Sequence, residues 1–114
     1  MALVEYEQAL VEVEMDDFLK RKRPPEDIRP QLDIGYKLED QSVFIFEIRP
    51  HWKTGESIHT QVAKTIYSKL EGKWKLYWMR QDLKWYPYDP VPKVDSLGDW
   101  LKVVEKDEHG CFWG

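Results

Sequence analysis

Thr60 to Arg80, TQVAKTIYSKLEGKWKLYWMR, decides the fold. Residues typical of strands lie on both sides of Glu71-Gly72-Lys73, so the stretch reads as a hairpin of two antiparallel strands, Thr60–Leu70 and Trp74–Arg80, turning at Gly72. Upstream, Leu32, Ile34, Tyr36 and Leu38 alternate with Asp33, Gly35 and Lys37, the period of a strand with one wet face. Glu39-Asp40-Gln41 turns the chain into Ser42–Arg49, whose Val43, Phe44, Ile45, Phe46 and Ile48 are apolar on both phases, as in a central strand. Downstream, Leu83–Tyr88 gives a last short strand, and Pro87, Pro90 and Pro92 mark an edge or a loop.

Helices bracket these strands. From Leu3 to Leu19 apolar residues recur at three- and four-residue steps without glycine or proline, ending in the basic run Lys20 to Arg23 and then Pro24-Pro25. Pro25 to Arg29 reads as one short helical turn. Near the other end Ser96 caps a helix in which Leu97, Trp100, Leu101 and Val104 fall at i, i+3, i+4 and i+7. The expected fold is therefore α+β, a meandering antiparallel sheet of about five strands with an N-terminal and a C-terminal helix packed on one face. At 114 residues one domain is expected, divided into residues 1–23, 31–88 and 95–114. Two helices cover one sheet face. Trp74, Trp78, Trp85, Tyr77, Tyr86 and Tyr88 occupy both phases of the hairpin region, so some aromatic rings are expected to face a partner.

Composition limits what that partner is. A net charge of -4 supplies no global positive field for nucleic acid or an anionic membrane, so any anion binding must be local. The apolar segments are too short to span a bilayer, and a single cysteine excludes an intrachain disulfide, which together read as a cytoplasmic protein. The limited interior of so short a chain, set against its aromatic hairpin and apolar first helix, points to a two-fold dimer.

Charged residues inside the strand patterns are the candidates for a site. Glu47 and Arg49 share the phase of Val43 and Ile45, Arg80 follows Trp74, Leu76 and Trp78, and Lys64 stands between Val62 and Ile66. Glu47, Arg49, Lys64 and Arg80 over an aromatic floor that includes Trp78 and Trp85 form a candidate site for a small anion, since a guanidinium is a planar fork of donors. The competing reading is an ion-paired structural cluster. As an enzyme, the chain offers Asp33 with Glu47-Ile48-Arg49, which echoes the carboxylates and lysine of metal-dependent nucleases acting on a phosphorylated or nucleic substrate. Arg49 stands where that chemistry wants a group able to lose its proton, so the non-enzymatic binding domain is preferred and no residue is assigned as catalytic.

His51, His109 and Cys111 lack the paired-cysteine spacing of a zinc site, and Cys111 reads as a tail thiol packed beside Phe112 and Trp113 rather than a nucleophile activated by His109. No metal or cofactor is expected. Lys20 to Arg23, with Arg29, are able to contact phosphates, but the carboxylates upstream on the same helix cancel much of their field and make nucleic acid the weaker choice of partner.

The strings RKRPPEDIRPQLDIGY, FEIRPHW, VAKTIY, WKLYWMRQDLKW and HGCFWG, from about Phe18 onward, resemble a bacterial family of small proteins catalogued as a domain of unknown function. The resemblance covers roughly four fifths of the chain and implies a small bacterial protein; it assigns no activity, cofactor or catalytic residue.

Overall fold

The computed structural model describes residues 3–113; Met1, Ala2 and Gly114, the last position of the HGCFWG string, lie outside them. Helix α1 spans Glu5–Lys22, strands β1 to β6 span Asp33–Glu39, Ser42–Pro50, Ser57–Ser68, Lys73–Met79, Trp85–Pro87 and Lys93–Val94, and helix α2 spans Leu97–Lys106. Strands pair antiparallel in the order β1-β2-β3-β4-β5, with β6 also on β4. This is the expected α+β meander with a helix at each end.

The β3–β4 hairpin turns where the glycine stands, Gly72 taking a φ of 65° that a side chain disfavours. Its first strand begins earlier than expected, at Ser57, because Arg49 and Pro50 of β2 pair with Ile58 and Ser57. Leu83, expected in a strand, instead lies in the β4–β5 turn at φ 63° and is exposed, with Arg80 N–H donating to the Lys84 carbonyl at 3.1 Å. Strands β5 and β6 are two pieces of one edge. Tyr88 N–H donates to the Leu76 carbonyl at 2.9 Å, Leu76 N–H donates to the Pro92 carbonyl at 3.0 Å, and the residues between loop outward. Prolines without an N–H fit an edge and discourage further strand addition there.

One sheet face meets the helices. Val11, Met15 and Phe18 of α1 and Leu97, Trp100, Leu101 and Val104 of α2 are buried with Val43, Ile45, Ala63, Trp74 and Leu76 in one core. Thr65 is buried among them and satisfies its hydroxyl by donating to the Lys75 carbonyl at 2.8 Å. The pairing of β2 with β3 shifts at Ile45/Phe46, so Val62 is an extra residue in β3. That bulge sends both Val62 and Ala63 into the core.

The closing segment folds back on the core. Ser96 Oγ accepts from Asp99 N–H at the start of α2, and Asp107 ends the helix in the left-handed conformation. The Asp107 carboxylate accepts from Phe112 N–H at 3.0 Å and Trp113 N–H at 2.9 Å, while the Trp113 indole donates to the Val104 carbonyl at 2.9 Å. Phe112 is thereby held against Tyr88, with ring centroids 4.9 Å apart.

Candidate functional site

Among the described residues no helix lies over the second sheet face, since both helices pack into the core on the first. In a sheet, residues paired across neighbouring strands stand in a row on the same face. Lys37 pairs with Phe44, Phe44 with Lys64, Lys64 with Tyr77 and Tyr77 with Pro87, so one row crosses five strands as cation, ring, cation, ring and proline. Trp85, beside Met79 in the next row, leans toward this one, its ring 6.1 Å from that of Phe44. In that next row Gly35 pairs with Phe46. A Cβ on Gly35 would come within 2.9 Å of the Phe46 ring, so the missing side chain is what lets that ring lie flat on the sheet, stacked on His59 at 4.6 Å.

Lys64 is the focus of the surface. Its Nζ lies 5.2 Å from the Phe44 ring centroid, 5.7 Å from Tyr77 and 5.8 Å from Trp85. Such a cation is attracted to the negative ring faces. Among the described residues no carboxylate oxygen comes within ion-pair distance of it. Burial pushes the Lys64 ammonium below the usual lysine range, and Glu39 offsets part of that shift. The neighbouring cation is less free: Lys37 sits 5.0 Å from Phe44 and is paired with Glu39 at 3.2 Å.

The expected grouping of Glu47, Arg49, Lys64 and Arg80 divides between the two faces. Lys64, in register with Phe44, projects away from the helices, whereas Glu47 and Arg49 keep the phase of buried Val43 and Ile45. Glu47 pairs with Arg49 at 3.6 Å, the structural ion pair that competed with a ligand site. Arg80 has the phase of Trp78 and lies over two rings, 4.8 Å from Tyr86 and 5.6 Å from Trp78. It borders a cavity of about 700 Å³ between the β4–β5 turn and the C-terminal tail. Asp82 lines the same cavity and is engaged by the Tyr86 hydroxyl, which lowers the carboxyl's pKa. Trp85 therefore belongs with Lys64, and Trp78 with Arg80.

The carboxylates of the enzyme reading do not converge. Asp33 pairs in register with Ile48, and Glu47 with Ile34, so consecutive positions place the two side chains on opposite faces. Asp33 is also fully engaged: its oxygens accept from Arg23 Nε at 2.9 Å, Arg23 Nη2 at 2.6 Å and Ile34 N–H at 2.7 Å. The hydrogen bonds from Arg23 hold its carboxyl below the usual aspartate range. A depressed folded pKa contributes stability that is present above the unfolded value near ~3.9 and lost as pH falls through the folded one. Asp33→Asn is thus expected to lower the melting temperature near neutral pH, at a cost of at most about 1 kcal/mol for a partly exposed pair, with the two proteins converging in acid. A constant difference from pH 7 to pH 2 would show that the loss has another source.

His51 serves its own loop, its Nδ1 accepting from Lys53 and Thr54 N–H at 3.1 and 3.2 Å. Among the described residues no group of three or more His, Cys, Asp or Glu is arranged to hold a metal ion. Cys111 is half-buried with its Sγ 3.9 Å from the His109 carbonyl, and burial, with Asp107, pushes its thiol above the usual range. A raised thiol pKa disfavours the nucleophilic thiolate at neutral pH. No helix among the described residues is long and apolar enough to cross a membrane.

Fold and surface together define a small α+β domain with helices on one side of an antiparallel sheet and a basic, aromatic face on the other. The chain belongs to the family described as domain of unknown function DUF3024, whose model matches residues 3–114. No curated protein and no solved structure matches it.

Proposed function

We propose that this is a non-enzymatic binding domain of the bacterial cytoplasm whose uncovered sheet face takes an anionic ligand bearing a flat apolar group. The carrying observation is Lys64, a partly desolvated ammonium framed by Phe44, Tyr77 and Trp85 with, among the described residues, no carboxylate in ion-pair contact. The half-buried rings of Phe44, Tyr77 and Trp85 beside it offer stacking area, and the cation selects the sign of charge. The surrounding Ile48, Ile66 and Met79 are half-buried on a face that neither α1 nor α2 covers, an apolar surface of the kind that marks a contact site. A second copy of the same face is a poor occupant, because closing it on itself would bury two lysines near one another. Arginine, expected as the principal cation, gives way here to lysine: Arg49 has a carboxylate partner and Arg80 lies on the other phase. The hydrolase reading lacks a converged carboxylate pair to support it.

The probe that separates charge from ring is naphthalene-2-sulfonate, compared with neutral 2-naphthalenemethanol, each titrated into the isotope-labelled protein. The sulfonate is expected to bind several-fold more tightly, shifting the amide signals of Phe44, Lys64, Tyr77 and Trp85. Lys64→Met should abolish the preference while preserving weak binding of both compounds; Trp85→Ala should weaken both. Equal affinities in the wild type, or shifts confined to other surfaces, would remove the proposal.

A further inference from the structure

Helix α1 carries two apolar stripes. Val11, Met15 and Phe18, at i, i+4 and i+7, are buried in the core. Tyr6, Leu10 and Val13, at the same spacing, stand 73%, 52% and 67% exposed. At about 100° per residue the centres of the two stripes are roughly 140° apart around the helix, so the second cannot share the core that takes the first. α2 has no such surplus: its apolar positions at i, i+3, i+4 and i+7 are all buried. Scattered exposed apolar residues are ordinary, but three on successive turns of one helix form a seam.

We infer that this seam joins two copies of the chain as a two-fold dimer with their α1 helices antiparallel. The charges choose the occupant. α1 has Glu5 and Glu7 in its first turn and Lys20, Arg21 and Lys22 in its last, so a second α1 running the opposite way sets acidic end against basic end and opposes the two helix dipoles. Parallel packing would set like ends together. Glu7 and Arg21 are occupied within the chain, by Lys69 at 3.9 Å and Glu105 at 2.8 Å. Glu5 and Lys20 are exposed and, among the described residues, take part in no ion pair. They lie on the same flank of the stripe, the geometry in which antiparallel helices bring a flank against its own reversed copy. Pairing centred between Leu10 and Val13 sets Leu10 against the partner's Val13 and brings Glu5 within a turn of the partner's Lys20. An anionic membrane is the poorer fit, since Glu5, Glu12, Asp16 and Asp17 border the stripe.

Three side chains per copy bury less than the roughly 800 Å² per partner of a standard complex, so the association is concentration-dependent, in the micromolar range or weaker. Sedimentation equilibrium of the full chain from 1 µM to 1 mM is expected to show the mass rising from 13.7 kDa toward twice that value. Leu10→Glu and Val13→Glu alter side chains already in water, so each should keep the wild-type melting temperature and hold the chain monomeric. Glu5→Lys and Lys20→Glu should each weaken association about tenfold, and the double variant should recover most of the loss. Lys64→Met should leave the dimer intact, which separates this result from the ligand site. A monomer at 1 mM, or a dimer indifferent to Leu10→Glu and Val13→Glu, overturns the seam. A double variant no tighter than the single ones overturns the antiparallel arrangement.

Discussion

Trp100→Ala is expected to cost about 3–5 kcal/mol of unfolding free energy, within the usual range for removing a fully buried aromatic side chain. Trp100 has no exposed surface and is the largest fully buried side chain of the core. It belongs to α2's buried stripe, about one turn after Leu97 and one turn before Val104, with Leu101 next to it in the chain, so the void it leaves opens where helix and sheet meet. Against a total stability of about 5–15 kcal/mol for a domain, such a loss leaves little reserve. Trp100→Phe is expected to cost far less, about a third of that loss. The indole Nε1 is buried and, among the described residues, has no hydrogen-bond partner, so phenylalanine removes an unsatisfied donor along with part of the ring volume. Urea unfolding at an unchanged m-value measures both. A phenylalanine variant as damaged as the alanine one would show that Nε1 is hydrogen-bonded in solution.

What the sequence conveys about this protein depends on whether one strand or two must be known. The alternation of Leu32 to Leu38, the glycine at 72 and the 97/100/101/104 spacing are each properties of a single element, and each element stands as read. The grouping of Lys64 with Glu47, Arg49 and Arg80 requires the phase of one strand relative to another. Within β3, Val62, Lys64 and Ile66 look like one phase, but the bulge turns Val62 into the core and leaves Lys64 and Ile66 on the open face. Such a bulge is a property of the pairing between β2 and β3, and nothing in the residues of β3 marks it. The seating of Phe46 was partly legible: a glycine inside a strand, Gly35, signals the close approach of a neighbouring group. Strand β6 was not, being two residues long and fixed by its contacts with β4 and by the Lys73–Asp95 ion pair. The second stripe of α1 was visible as excess apolar content, but only burial divides it from the first.

Asp107→Ala is expected to cost about 2–4 kcal/mol, because it removes two hydrogen bonds to a charged acceptor and leaves both donors without a partner. The carboxylate ties Phe112 and Trp113 to the end of α2, and through them the tail covers Tyr88 and the carbonyl of Val104. Phe112 and Tyr88 are both buried, so a detached tail exposes apolar surface as well as backbone. Asp107 also sits at φ 42°, a conformation that alanine disfavours, which adds to the loss. Asp107→Asn divides these contributions: asparagine tolerates the left-handed backbone and keeps one accepting oxygen, so it should fall between wild type and alanine. Asp107→Gly relieves the backbone and keeps neither hydrogen bond, so it should resemble alanine if the carboxylate dominates. Hydrogen exchange at the Phe112 and Trp113 amides reports the tail directly, and both should lose protection in the alanine and glycine variants while the β3–β4 hairpin keeps its own. If the glycine variant matches the wild type in stability and exchange, the tail is held by its ring packing alone and the carboxylate is dispensable.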